Sequence, residues 1–182
     1  ANSRLRISSS GNNRTVVGFD VSGFDANNVT SARLIQTIAE NADNWGQNGD
    51  RTVDAHSLLK SFAEGNGMIA EVTPQSAKTR GTGSGVTWNC AIDNEISDHS
   101  ADCVQLWNGG TFGPATAPSV LHVNGLTGQV EWDVTIDAQA GTSEWLIKKT
   151  LEGAGGKVRY YSREGALEAG NPDLAPTLIV DF

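Results

Sequence analysis

Between Val120 and Ala138 apolar and polar side chains alternate. Val130, Trp132, Val134 and Ile136 interleave with Glu131, Asp133, Thr135 and Asp137. A strand sends successive side chains to opposite faces, so this spacing predicts a strand with the first set in a core and the second in water. Shorter apolar runs predict further strands at Leu5–Ile7, at Arg14–Val21 through Val16, Val17, Phe19 and Val21, and at Thr30–Glu40 through Leu34, Ile35 and Ile38. Thr52–Phe62 reads as strand in its front half, with Ser57–Glu64 turning into a short helix that Gly65-Asn66-Gly67 ends. Trp145, Leu146 and Ile147 mark another strand within Glu144–Leu151, and Lys157–Tyr161 and Thr177–Phe182 mark the last two.

From Met68 to Pro118 the pattern fades into a long, polar, glycine-rich excursion with short islands at Met68–Val72, Val86–Trp88 and Val104–Trp107. A segment this long without periodicity suggests a functional or interface excursion. About ten strands divided by turn signals, with no long helix, predict an all-β fold: a two-sheet antiparallel jelly-roll sandwich with one long loop excursion. No linker or internal repeat divides the chain, so residues 1–182 read as a single domain.

Composition sharpens this picture. Only 19% of residues are charged and 21 are glycine, the make-up of a turn-rich β protein. A net charge of −8 disfavours nucleic acid and anionic membrane as partners. No apolar run approaches the roughly 18 residues of a membrane helix, so no membrane insertion is expected. Ala1-Asn2-Ser3 is compatible with a mature terminus left by cleavage or with an arbitrary boundary.

The only two cysteines, Cys90 and Cys103, fall inside the excursion. They lie in no C-x-x-C motif and have no histidine at zinc spacing, which favours a structural disulfide over a redox or metal pair. A bridge over so short a loop contributes about 3 kcal/mol in the chain-entropy model and implies an oxidising compartment, extracellular or at the cell surface.

Candidate chemistry is sparse. His56, His99 and His122 are scattered and no nucleophile elbow accompanies them, so they read as surface or turn residues. Glu131 with Asp133, or Asp93 with Glu95, would be the carboxylate pairs of a glycosidase, but the first pair reads as a solvated strand face. The chain is therefore not expected to be an enzyme. Asp93, Glu95, Asp98 and Asp102 form an oxygen-rich cluster between the cysteines, a candidate calcium site, although Asp and Asn also serve ordinary turns. A second acidic turn contains Asp43, Asn44 and Asp50. Of five tryptophans, Trp132 and Trp145 sit in strand patterns and read as core. Trp45, Trp88 and Trp107 lie in loop-like regions and are the candidate platforms for stacking on a polysaccharide, the alternative being that they plug the ends of the sandwich.

Several segments together resemble a known family. Arg4-Leu5-Arg6-Ile7 followed by Val16–Gly23 is similar to the "LRV…RFDLSGL" opening of the DNRLRE-type extracellular β-sandwich domains. Thr30–Leu34, Ala63–Gly67, Gly85–Asn89, Tyr161–Gly165 and Ala175–Val180 resemble five further stretches, so the likeness spans nearly the whole chain. The resemblance implies a secreted jelly-roll domain of the kind found in large surface proteins and beside polysaccharide-degrading enzymes. Some relatives are classed as carbohydrate-binding modules. It implies no ligand residue. Members of the family usually open with an extra strand of the "D-x-Y-V" kind before "LRV", and this sequence starts without it. Either the sequence is truncated there or a groove in one sheet is left open; an open groove invites a strand from another copy, and such a contact repeated head to tail builds a filament. The expectation is thus a non-catalytic structural or surface protein, possessing other copies of itself as partners. The alternative is a carbohydrate-binding module.

Overall fold

The computed structural model describes residues 4–8, 13–41, 45–46, 51–65, 83–96, 98, 100 and 102–182. Among these residues it is an all-β fold with eleven strands, all paired antiparallel, two short α-helices and short 3-10 turns. The chain separates into two compact units. One comprises Ser3–Ser57 and Gly113–Phe182, and the other is inserted between them as Leu58–Phe112.

The larger unit contains two sheets. The first holds β1 (Arg4–Ser8), β3 (Ser31–Glu40), β8 (Gly128–Asp133), β10 (Lys157–Tyr161) and β11 (Thr177–Asp181). Its centre is β3, whose run of branched apolar residues suits a strand paired on both flanks. Leu34 lies opposite both Leu178 and Trp132, and Ile38 opposite both Tyr160 and Gly128. One flank of β3 therefore belongs to β8. The other is shared end to end by β11, beside the first half, and β10, beside the second. β1 pairs with the far edge of β10. The second sheet has the order β2 (Thr15–Gly18), β9 (Glu144–Lys149), β4 (Thr52–Ser57), β7 (Val120–Leu121).

Alternation supplies the core between the sheets. Ala32, Leu34, Ile38, Val130, Trp132, Val158 and Tyr160 from the first meet Val17, Val53, Ala55, Trp145 and Ile147 from the second. Trp132 crosses the layers and donates its indole N–H to the Val53 carbonyl at 3.0 Å. Burying side chains of this size contributes about 1.5–3 kcal/mol each. Gln36 shares the inward parity of Leu34 and Ile38 and is fully buried, yet among the described residues its amide oxygen and nitrogen have no hydrogen-bond partner.

The clearest sequence pattern stops earlier than its alternation suggests. Asp133 accepts from both the hydroxyl and the N–H of Thr135, which turns the chain into helix α1 (Thr135–Gln139). Val134 remains buried, but Ile136 is 63% exposed and Asp137 goes inside, where it accepts from Trp145 Nε1 and the Thr116 hydroxyl. A local side-chain-to-backbone turn at Asp133 thus overrides the period of two. Similarly, Ser162 caps helix α2 (Arg163–Glu168), accepting from the Gly165 N–H. The helix expected at Ser57–Glu64 is absent. Ser57 ends β4, and Leu58 makes a bridge with Phe112 instead.

The inserted unit begins ten residues before the expected excursion. It carries a two-stranded sheet of β5 (Cys90–Asp93) and β6 (Cys103–Leu106), crosslinked by Cys90–Cys103, as the spacing predicted. Gly65 and Gly85 pack backbone to backbone there. A Cβ on Gly65 would stand 2.7 Å from the Gly85 Cα, and Gly65 also has φ +73°.

Candidate functional site

The three platform tryptophans divide. Trp45 is wholly buried, with its indole N–H on Asn41 Oδ1 and its ring against Gly156. Trp107 is buried too, donating Nε1–H to the Thr87 carbonyl at 2.8 Å. Neither presents a face to a ligand, which corrects the expectation for both. Their indole N–H groups find partners inside, as a buried tryptophan requires. Trp88, at 45% exposed, is the one of the three with an accessible ring.

The acidic cluster divides as well. Glu95 receives the Gly83 N–H on both carboxylate oxygens, at 2.9 and 3.0 Å. Asp98 takes the N–H and hydroxyl of Ser100. Asp98 thus serves a turn, and Glu95 holds a backbone N–H twelve residues away. Asp93 and Asp102 instead come together, with carboxyl groups in hydrogen-bonding reach. Burial first, and then Asp102, pushes the Asp93 carboxyl above the usual carboxylate range. Among the described residues no group of three or more His, Cys, Asp or Glu is arranged to hold a metal ion. Asp43, Asn44, Asp50, His99 and the Met68–Val72 island lie outside the described residues. Glu131 and Asp133 are exposed, as a solvated strand face should be.

The edge of the first sheet is legible from backbone geometry. Ala32 directs its N–H to Thr135 Oγ1 and its C=O to the Val134 N–H, on the β8 flank. Backbone groups alternate direction along a strand, so Ser31, Arg33 and Ile35 serve the β11 flank. Their register partners Asp181, Ile179 and Thr177 face back. Leu178 and Val180 therefore turn their N–H and C=O groups away from β3. Among the described residues no hydrogen bond reaches these outward groups. The slot outside β11 continues the line of β1, because β10 and β11 share one flank of β3 and β1 lies outside β10.

Two clusters went unseen in the sequence, and they correct the reading of His56 and His122 as surface or turn residues. His122 is fully buried between Trp45 and Trp132, with Tyr160 at its edge. Its Nδ1 lies 3.1 Å from the Val120 carbonyl, which can only accept, so Nδ1 carries the proton. Nε2 then accepts from the Tyr160 hydroxyl at 2.7 Å. Burial lowers the His122 pKa to about 4 and pushes that of Tyr160 well up. Lys149, also buried, sits 5.0 Å from the Trp45 ring centroid and donates to the carbonyls of Ala154 and Gly155.

The second cluster lies on the outward face of β4 and β9. Asp54 and His56 alternate with the inward Val53 and Ala55, yet both are buried. His56 Nδ1 is 2.9 Å from the Gly113 carbonyl, and its Nε2 is 4.0 Å from Asp54 Oδ2. Lys148 stands opposite Asp54. Arg14 makes a two-pronged contact with Glu152 at 2.6 and 2.8 Å, which holds the Glu152 carboxyl below its usual range. Polar residues alternating with apolar ones read as a wet face, so no sequence signal marked this set.

No protein-family model matches the chain, and no curated protein matches it.

Proposed function

We propose that this chain is a non-catalytic structural protein of the cell exterior, whose copies join by adding a strand from one molecule to the outer edge of β11 in the next. The observation that carries the reading is that edge: the backbone groups of Leu178 and Val180 point outward from a strand of the main sheet. Main-chain pairing of this type gives affinity without a preformed pocket. A contact between two different surfaces repeats into an open filament. The disulfide supports an oxidising location, and among the described residues no helix is long and apolar enough to cross a membrane. We read the fold as a jelly roll of the DNRLRE type. Support for the jelly roll comes from the strand orders β1-β10-β3-β8 and β2-β9-β4-β7, with a chain that alternates between them.

Sedimentation and negative-stain microscopy of the native protein test this. Assembly is expected, and Val180→Pro should abolish it in a variant that still melts cooperatively, at a lower temperature because the Val180 side chain packs against the core. Proline there removes an outward N–H and leaves the β3–β11 bonds in place. A wild type that stays a monodisperse monomer, or a variant that still assembles, would overturn it.

A second reading, recognition of a polysaccharide, is favoured by the exposed ring of Trp88. Titration with acidic and neutral polysaccharides should then quench tryptophan fluorescence in the wild type and not in Trp88→Ala. No quenching across a broad panel removes this reading.

A further inference from the structure

The sequence contains two Asn-x-Thr triplets, Asn13-Arg14-Thr15 and Asn28-Val29-Thr30. In a chain that folds outside the cell, such a triplet is an acceptor for a glycan on the asparagine nitrogen. The fold treats the two differently. Asn13 is partly buried and donates Nδ2–H to the Ser8 hydroxyl at 2.9 Å. Thr15 is 4% exposed, and its hydroxyl donates to the Arg6 carbonyl at 3.2 Å. Both polar ends of the first triplet thus tie β2, and the turn before it, to β1.

The second triplet is presented to water. Asp25 accepts from the Asn27 N–H at 3.0 Å and closes the 3-10 turn Ala26–Asn28. Asn28 ends that turn and is exposed. Val29 follows in extended conformation, is 4% exposed and packs in the core. Its carbonyl accepts from Gln139 Nε2 at 2.9 Å, which fixes the segment from a second side. The neighbours of a residue in extended backbone turn to the opposite side from it. Asn28 and Thr30 accordingly are both exposed while Val29 is anchored between them. Asn28 Nδ2 donates to Asp25 Oδ2 at 3.1 Å, and Asp25 is itself exposed, so the amide stays within reach of an enzyme. The Thr30 N–H donates to the Asp181 carbonyl at 2.8 Å, which sets the triplet beside the last rung of β3 and β11.

We propose that Asn28 is an N-glycosylation site and that Asn13 is not. In the step, Asn28 Nδ2 loses a proton and bonds to the anomeric carbon of an oligosaccharide activated on a lipid phosphate. The bond from that carbon to the phosphate oxygen breaks, and the lipid phosphate leaves with the electron pair. The inference rests on the exterior location proposed above.

Mass spectrometry of the intact protein and of its peptides, purified from the cells that produce it, tests the site. A mass excess over the sequence is expected on the peptide bearing Asn28, with the Asn13 peptide at its sequence mass. Asn28→Gln and Thr30→Ala, each made in the same cells, should lose the whole excess. Thr30→Ser keeps an acceptor triplet and should retain it. If Asn28→Gln fails to fold, Thr30→Ala decides, since it leaves the Asn28–Asp25 contact in place. The proposal is overturned if the Asn28 peptide has its sequence mass, if the glycan sits on Asn13, or if Thr30→Ala stays modified. The same spectra report the state of Cys90 and Cys103. A bare Asn28 with the disulfide closed refutes the glycan alone, whereas a bare Asn28 with free thiols refutes the exterior location as well.

Discussion

Acidification should destabilise this protein through one residue, His122. Its side chain is neutral in the folded state, with Nδ1–H on the Val120 carbonyl and Nε2 accepting from Tyr160. Protonation would put a charge among Trp45, Trp132 and Tyr160 and place a donor where the Tyr160 hydroxyl already donates. Burial accordingly lowers the pKa from the ordinary 6.5 to about 4. The unfolded chain binds a proton near pH 6.5 and the folded chain only near pH 4, so between these values the unfolded state holds more protons. Stability must then fall as pH drops from above 6.5 towards 4, and this contribution levels off below 4. A shift of that size corresponds to about 3 kcal/mol, at roughly 1.4 kcal/mol per unit. That is a large share of the about 5–15 kcal/mol that holds a typical domain together. The assay is urea unfolding at pH 7, 6, 5 and 4 for the wild type and for His122→Gln, whose amide oxygen can accept from Tyr160 without titrating. Carboxylates titrate in both proteins and cancel in the difference. The wild type should lose about 3 kcal/mol more than the variant over this range. Parallel pH profiles would refute the assignment of the acid sensitivity to His122.

Gln36 is an orphaned amide in the apolar layer between the sheets. Gln36→Met keeps the volume and should raise the unfolding free energy by about 1–3 kcal/mol in urea denaturation; a loss of stability would show that the amide is satisfied in solution. Reduction of Cys90–Cys103, which are 13 residues apart, should cost about 3 kcal/mol within the inserted unit. Limited proteolysis under reducing conditions should therefore cut first inside Leu58–Phe112, and cleavage concentrated in the larger unit would contradict this.

The alternating pattern alone was enough to place most of the strands. Val130 and Trp132, Trp145 and Ile147, and Leu34 and Ile38 all face the core as their spacing requires. The Cys90–Cys103 crosslink was also legible, because two cysteines without metal-ligand spacing have few other uses. Periodicity reports which side of a strand a residue occupies. It does not report what covers that side, nor where a side-chain hydrogen bond turns the chain out of the strand, and this is why Ile136 and Asp137 exchanged roles. Loop residues carry no period at all. Only the tertiary structure could bury Trp45 and Trp107 and leave Trp88 exposed, enclose His122 in aromatic rings, or single out Asp93 and Asp102 from four acids that look alike in sequence. Each of these outcomes depends on partners distant along the chain, whose approach is set by packing and strand register and by nothing in the local order of residues.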